Sequence, residues 1–242
     1  GSCVIEQIFA QYMPAPFLSI ITNDCIAKGK DYNAGGARYN TNYLQGVGIG
    51  TITDCLAAVK YNVYDHKKFT MAELLQALKD NFVGHEDIHN LVCNKTPKYG
   101  NDDDYADDLM KRVFYLYQEE ITDRPNMKGG TWRVDMLPTT CHVYFGDVMI
   151  ASANGRLAHK PVSEGISPEK GADVNGPTAV IKSCAKMDHL KTGGTLLNQK
   201  FLPETIAGEE GLDQLANYIR TYFNMDGHHV QFNVVHKELL ID

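Results

Sequence analysis

Arg133-Val-Asp-Met-Leu-Pro-Thr-Thr-Cys-His-Val-Tyr-Phe-Gly146 is the stretch on which the reading of the fold turns. Trp132, Val134 and Met136 alternate with Arg133 and Asp135, the period-two pattern of a strand with one buried face. Pro138 has no N–H to give to a ladder and ends pairing there. Thr139, Thr140, Cys141 and His142 then crowd into four positions before the apolar run Val143 to Phe145. Polar groups between two buried-looking runs need partners, or they cost free energy. Two readings follow: a strand crossing whose hydroxyls bond to backbone, or a pocket wall offering a hydroxyl to a polar substrate.

Working outward, the pattern predicts helices over 3–12 and 17–27, separated by Met13-Pro-Ala-Pro16, since proline cannot continue a helix. Gly29 is the expected stop of the second. Thr70-Met-Ala-Glu73 reads as a capping box, followed by Met71, Leu74, Leu75, Leu78 and Phe82 on one helical face. A long helix over 103–122 would turn Leu109, Val113, Leu116 and Tyr117 inward, with Asp102, Asp103, Asp104, Asp107 and Asp108 at its positive end. Residues 151–177 are rich in glycine and proline and read as loop. A helix over 178–187, a strand over 195–201, a helix over 209–223 with Leu212, Leu215, Ile219 and Tyr222 inward, and a strand over 229–235 complete the chain. The run from His236 to Asp242 looks like a helix beginning, and Cys3 already reads as mid-helix; both ends suggest a piece of a longer chain. No repeat or low-complexity linker interrupts the 242 residues, so they read as one mixed α/β domain.

Composition narrows the function classes. Hydrophobic residues make up 43% and charged residues 22%, the balance of a soluble globular protein. A net charge of −7 spread along the chain argues against nucleic acid as a partner, which would need a basic stripe. No apolar run approaches membrane-spanning length, and no secretion signal is visible, so a cytoplasmic protein with no membrane partner is expected. None of the six cysteines forms a C-x-x-C pair; they read as reduced thiols.

His85-Glu-Asp-Ile-His89 matches H-E-x-x-H, which on a helix would place two zinc ligands on one face and Glu86 as the base. Gly84 immediately before it and the missing third ligand favour a polar first turn, so no metal is expected. Gly46-Val-Gly-Ile-Gly50 hints at a phosphate loop but departs from G-x-G-x-x-G; a close approach of two backbones fits it better.

Several ordered stretches together carry a resemblance: Pro16-Phe-Leu-Ser19, Asp24 to Asp31, Gly35-Gly-Ala-Arg-Tyr-Asn40, Gln45 to Thr51, Met136-Leu-Pro-Thr-Thr140, Gly155-Arg156, Ser163-Glu-Gly-Ile-Ser-Pro168, Asn175-Gly-Pro-Thr178, Lys191 to Lys200, and Met225 to Val234. They resemble the C-terminal part of the glycyl radical enzymes, in the dehydratase and formate-lyase-like group. Lys95 to Tyr105 and Arg133 to Gly146 are most similar to the branch that removes water from trans-4-hydroxy-L-proline to give pyrroline-5-carboxylate. The resemblance implies an α/β architecture, a ten-stranded barrel of two five-stranded parallel halves wrapped by helices, with residues 1–242 as a single domain supplying much of the second half. It also implies a backbone glycyl radical, installed by a radical SAM activating enzyme, a thiyl cysteine that takes hydrogen from a small-molecule substrate, and a Glu that serves as acid or base while hydroxide leaves. The family's Gly-Cys-Val-Glu and Arg-Val-x-Gly-Tyr motifs are absent here; Cys3-Val-Ile-Glu6 sits in the first helix and does not take the thiyl role. No catalytic residue, metal or bound cofactor is therefore expected within these residues, and no turnover from them alone; the rest of the same enzyme chain would be their partner. The substrate contact carried over is Thr139, with Thr140 second. Glycerol, propanediol or a formate-lyase-type substrate is the nearest alternative, and a zinc protease built on His85, Glu86 and His89 the remote one.

Overall fold

The structure is a computed structural model that describes residues 1–236; the helix start expected near the end falls, after His236, outside them. The chain groups into two compact units, Gly1–Leu44 with Tyr117–Val134, and Gln45–Leu116 with Asp135 onward.

The first unit opens with helices α1 (Ser2–Tyr12), α2 (Pro16–Ile21) and α3 (Cys25–Lys28). The single helix expected over 17–27 is two helices, because Asp24 takes a left-handed conformation (φ 77°). Its carboxylate holds the Arg38 guanidinium at 2.8 and 3.2 Å, and the Asn23 carbonyl accepts from the Arg38 amide, so the turn is tied to a later loop instead of continuing the helix. Gly29 stops α3 as expected, at φ 58°. Strand β1 (Asn42–Gln45) pairs with β2 (Trp132–Asp135). Polar side chains knit this unit: the Asp31 carboxylate accepts from Ser19 Oγ and the amides of Ala15 and Asn33, and Glu6 accepts from Asn42 Nδ2 and the Met127 amide.

The second unit holds α4 (Ile49–Ala58), which continues as a π-helical stretch, Val59–Asp65, then α5 (Met71–Lys79), α6 (Glu86–Asn94) and α7 (Asp104–Ile121), the last of which runs past the unit boundary. After them come α8 (Cys141–Asp147), α9 (Pro177–Ala185), β3 (Leu197–Phe201), α10 (Gly208–Asn224) and β4 (Val230–Val234). Thr70 and Glu73 form the expected capping box on α5. An apolar core gathers Ala58, Phe69, Leu74, Ala77, Phe82, Val92, Ala151 and Ala153. β3 and β4 lie parallel in one sheet, Asn198 opposite Gln231, and Met136 forms a parallel bridge with Thr195 just before β3. Among the described residues no helix is long and apolar enough to cross a membrane.

Four sequence expectations are corrected here. The inward face of α7 is Ala106, Asp107, Met110 and Phe114, and Leu116 is exposed. On α10, Gly211 and Tyr222 are buried while Leu212 faces out, and on α5 Leu75 does. The run Val143 to Phe145, buried-looking in the sequence, lies in a helix with all three side chains exposed: the chain turns at Thr139 and Thr140, and the Val143 amide donates back to the Thr140 carbonyl. The alternation before it holds, with Trp132, Val134 and Met136 all buried.

Candidate functional site

The second unit carries a half-open cavity of about 660 Å³ whose walls come from the glycine- and proline-rich segment 154–173, the end of α6, His142 at the start of α8, and Asn198 to Lys200 on β3. Loop segments can wall a cavity only if their backbone polar groups are satisfied, and here long-range hydrogen bonds do this. The Thr51 amide donates to Ser163 Oγ at 3.0 Å, the Ser163 amide donates to Thr51 Oγ1 at 2.8 Å, and the Thr51 hydroxyl binds Glu169 Oε2. Gly50 makes that approach possible, since a Cβ there would lie 2.8 Å from the Ser167 carbonyl oxygen. The close backbone approach expected for Gly46 to Gly50 is thus found at Gly50.

Two cations are committed to the walls. Arg156, buried, donates to the carbonyls of Ile150, Leu157 and Lys160 at 2.5, 3.1 and 2.6 Å and to Ser152 Oγ at 3.0 Å. Lys98, also buried, donates to the Asn154 carbonyl at 2.7 Å. Lys160, Lys170 and Lys200 also line the cavity with no ion pair among the described residues, alongside the carboxylates of Glu164, Glu169 and Asp173. Interleaved charges of both signs suit a small polar ligand that carries both. On β3, the Asn198 amide donates to Ser167 Oγ at 2.9 Å, while both polar atoms of its side chain are buried without a partner.

Beneath this wall lies Asp54, fully buried, accepting the Tyr99 amide at 2.8 Å with its other oxygen unpartnered. Burial pushes its carboxyl up to about 7, against the opposing pull of the Lys98 charge and the Tyr99 amide. A carboxyl whose folded value lies above its unfolded one, about 4, favours folding most at low pH, and that contribution is lost as pH rises through about 7. Melting temperature is therefore expected to fall between pH 5 and 8, and Asp54→Asn, which cannot ionise, to flatten that slope. A variant with the parent's slope would place the titration elsewhere.

The structure sets Thr139 and Thr140 at an exposed turn leading into α8, outside the walls of this cavity. His142, one turn on, lines the cavity and its Nδ1 is 3.1 Å from the Thr139 carbonyl oxygen. Thr139 has φ 49°, a left-handed conformation uncommon for a β-branched residue, and its hydroxyl makes no hydrogen bond among the described residues. His85 and His89 do not converge. His85 precedes α6 in a non-helical conformation (φ −130°) with Nε2 3.0 Å from Asp80, whereas His89 Nε2 meets the Gly155 carbonyl oxygen at 2.8 Å. The shared face that H-E-x-x-H needs is missing, and the zinc-protease reading goes with it.

Gly155-Arg156 and Ser163 to Pro168 stand out as motifs in the sequence, but no local pattern marks Lys98, Asn154, Glu169 or Asn198 for a site role. The density of glycine and proline over 151–177 was the available signal.

A model of the pyruvate formate lyase-like family matches residues 1–146, and a glycine radical model matches residues 162–242. The chain is 68% identical over 242 residues to trans-4-hydroxy-L-proline dehydratase of Clostridioides difficile, covering 100% of this chain and 31% of that protein. It is 41% identical over 238 residues to (2S)-3-sulfopropanediol dehydratase of Klebsiella oxytoca, covering 96% and 29%. Among solved structures, the Clostridioides difficile hydroxyproline dehydratase with trans-4-hydroxy-L-proline bound superposes with a TM-score of 0.96 over 99% of this chain and 30% of that one, at 68% identity. The glycerol-bound, B12-independent glycerol dehydratase of Clostridium butyricum does so with a TM-score of 0.92 at 42% identity, over 98% and 30%. The chain thus spans less than a third of the length of these relatives.

Proposed function

The chain belongs to the pyruvate formate lyase-like family, and from that premise we propose that it is part of a glycyl radical lyase that removes water from trans-4-hydroxy-L-proline, giving pyrroline-5-carboxylate. The observation that carries this reading is the 68% identity to a hydroxyproline dehydratase along the whole chain, against 41% to the sulfopropanediol enzyme. We read residues 1–242 as one domain of the longer enzyme, forming much of one half of a ten-stranded barrel; the parallel β3–β4 pair supports that reading. A backbone glycyl radical, installed by the activating enzyme, would supply hydrogen abstraction through a cysteine thiol, and the motifs that would carry that glycine and that cysteine are not among these residues. What these residues contribute is binding surface: a polar cavity wall and, at its flank, the free hydroxyl of Thr139, with Thr140 as second choice.

Thr139→Val in the full-length enzyme keeps the side-chain shape and removes the hydroxyl. Losing one neutral hydrogen bond to substrate should lower kcat/KM for hydroxyproline by up to about tenfold, with the glycyl radical signal unchanged by electron paramagnetic resonance. Unchanged kinetics would take Thr139 out of the site. Turnover of glycerol or propanediol in preference to hydroxyproline would replace the substrate and keep the enzyme class.

A further inference from the structure

Helix α1 is inside out. Glu6, its one buried residue, faces inward to Asn42 and the Met127 amide. Its apolar side chains Val4, Ile5, Ile8, Phe9 and Tyr12, at i, i+1, i+4, i+5 and i+8, are 43–70% exposed. That spacing draws one stripe along a helix, and here it points away from the unit's own interior. α2 and α3 repeat the pattern with Phe17, Ile20, Ile21 and Ile26, all more than 60% exposed, while Ser19 turns inward to Asp31.

Charged side chains are sparse on these three helices: Glu6 is buried, and Lys28, at the end of α3, donates to the Ala37 carbonyl at 3.0 Å. The first 27 residues contain only Glu6 and Asp24 as charged side chains, and both are engaged, Asp24 with Arg38. An apolar face of this extent exceeds what a soluble monomer leaves in water. Interfaces between separately folded partners keep a polar, charged rim; a face without one has the composition of a domain interior. The relatives supply the covering material: more than two thirds of the 68%-identical protein lies outside the matched segment.

We propose that the outer face of α1, α2 and α3 is an intramolecular interface, covered by the part of the longer enzyme chain that lies outside these 242 residues, and not by a second copy. The inference rests on the chain being part of such an enzyme. It is tested in the full-length protein with Ile8→Cys, by following the labelling of the introduced thiol with a soluble maleimide and reading the modified peptide by mass spectrometry. Labelling at least 100-fold slower than in urea, and independent of protein concentration, is expected. Labelling within tenfold of the unfolded rate would overturn the proposal. Protection that is lost on dilution, together with a fall in mass to the monomer, would assign the face to a second copy and overturn it equally. A companion variant, Ile8→Ala, keeps the question answerable if the thiol variant does not fold: a concentration-independent fall in melting temperature is expected, and an unchanged one contradicts burial. Hydroxyproline turnover is measured on the same samples, so a protected thiol in a protein without turnover would sink the proposed substrate and leave the interface standing.

Discussion

Lys186→Ala is expected to destabilise the protein by about 3–5 kcal/mol, because it strands a buried charge. Lys186 follows α9 and its Nζ reaches Asp107 and Asp104 at 2.7 Å and Asp102 at 3.2 Å. Asp107 on α7 has no solvent exposure, and its Oδ2 also accepts from Ser183 Oγ at 2.9 Å. Burial raises the Asp107 carboxyl, with Lys186 and Ser183 opposing it. Burial pulls the other way on Lys186, where the carboxylates of Asp104 and Asp107 win and hold the ammonium above its ordinary range. Removing the cation leaves Asp107 to bear its desolvation with one hydroxyl. For a chain of this size the loss corresponds to a fall in melting temperature of about 10 °C. Lys182→Ala is the internal comparison: its pair with Asp102, at 3.1 Å, is half exposed and worth less than about 1 kcal/mol. Adding Asp107→Asn to Lys186→Ala should recover much of the loss, since the orphaned charge is gone. Equal effects of Lys182→Ala and Lys186→Ala, measured by denaturant titration, would show that Asp107 does not depend on this cation.

That cluster also shows where the sequence stops being legible. Five aspartates at a helix N-terminus read as a solvated, dipole-stabilised end, and local rules support nothing else. The partner that buries Asp107 lies 79 residues later, and no local pattern announces it. Because a charged residue reads as outward, the pattern favours a stripe of Leu109, Val113, Leu116 and Tyr117 over the observed Ala106, Asp107, Met110 and Phe114. Local signals worked where the physics is local: the Thr70 and Glu73 cap and the stop at Gly29. They failed at Asp24, whose left-handed turn is held by Arg38, and at Val143 to Phe145, an apolar run that looks buried but is exposed on α8. The cavity belongs to the same class. Thr51 meets Ser163 and Glu169 across more than 110 residues, so its walls assemble only when the fold does, whereas the family itself was legible in an ordered set of short motifs.

Gly165→Ala is expected to cost about 3 kcal/mol or more, by adding the left-handed penalty to the loss of a hydrogen-bonded seam. Gly165 has φ 53°, where a Cβ costs about 1–2 kcal/mol by itself. That Cβ would also overlap the carbonyl oxygen of Leu196. The obstructing atom is backbone and cannot swing away as a side chain would. It is the same oxygen that accepts from the Ile166 amide at 2.9 Å, the bond that fastens the 163–168 segment to the chain entering β3. Relief of the overlap must therefore lengthen this bond, and with it the neighbouring Ser167 to Asn198 contact at 2.9 Å. Gly171→Ala separates the two causes: Gly171 lines the cavity and has φ 81°, but a Cβ there meets nothing within 4 Å. It should cost only the conformational penalty, about 1–2 kcal/mol. In the full-length enzyme the Gly165 variant should lose hydroxyproline turnover beyond its loss of stability, because the seam it opens is the cavity wall itself. Equal stability losses for the two alanine variants would mean that the Leu196 contact yields freely, and that the wall is not held where the structure puts it.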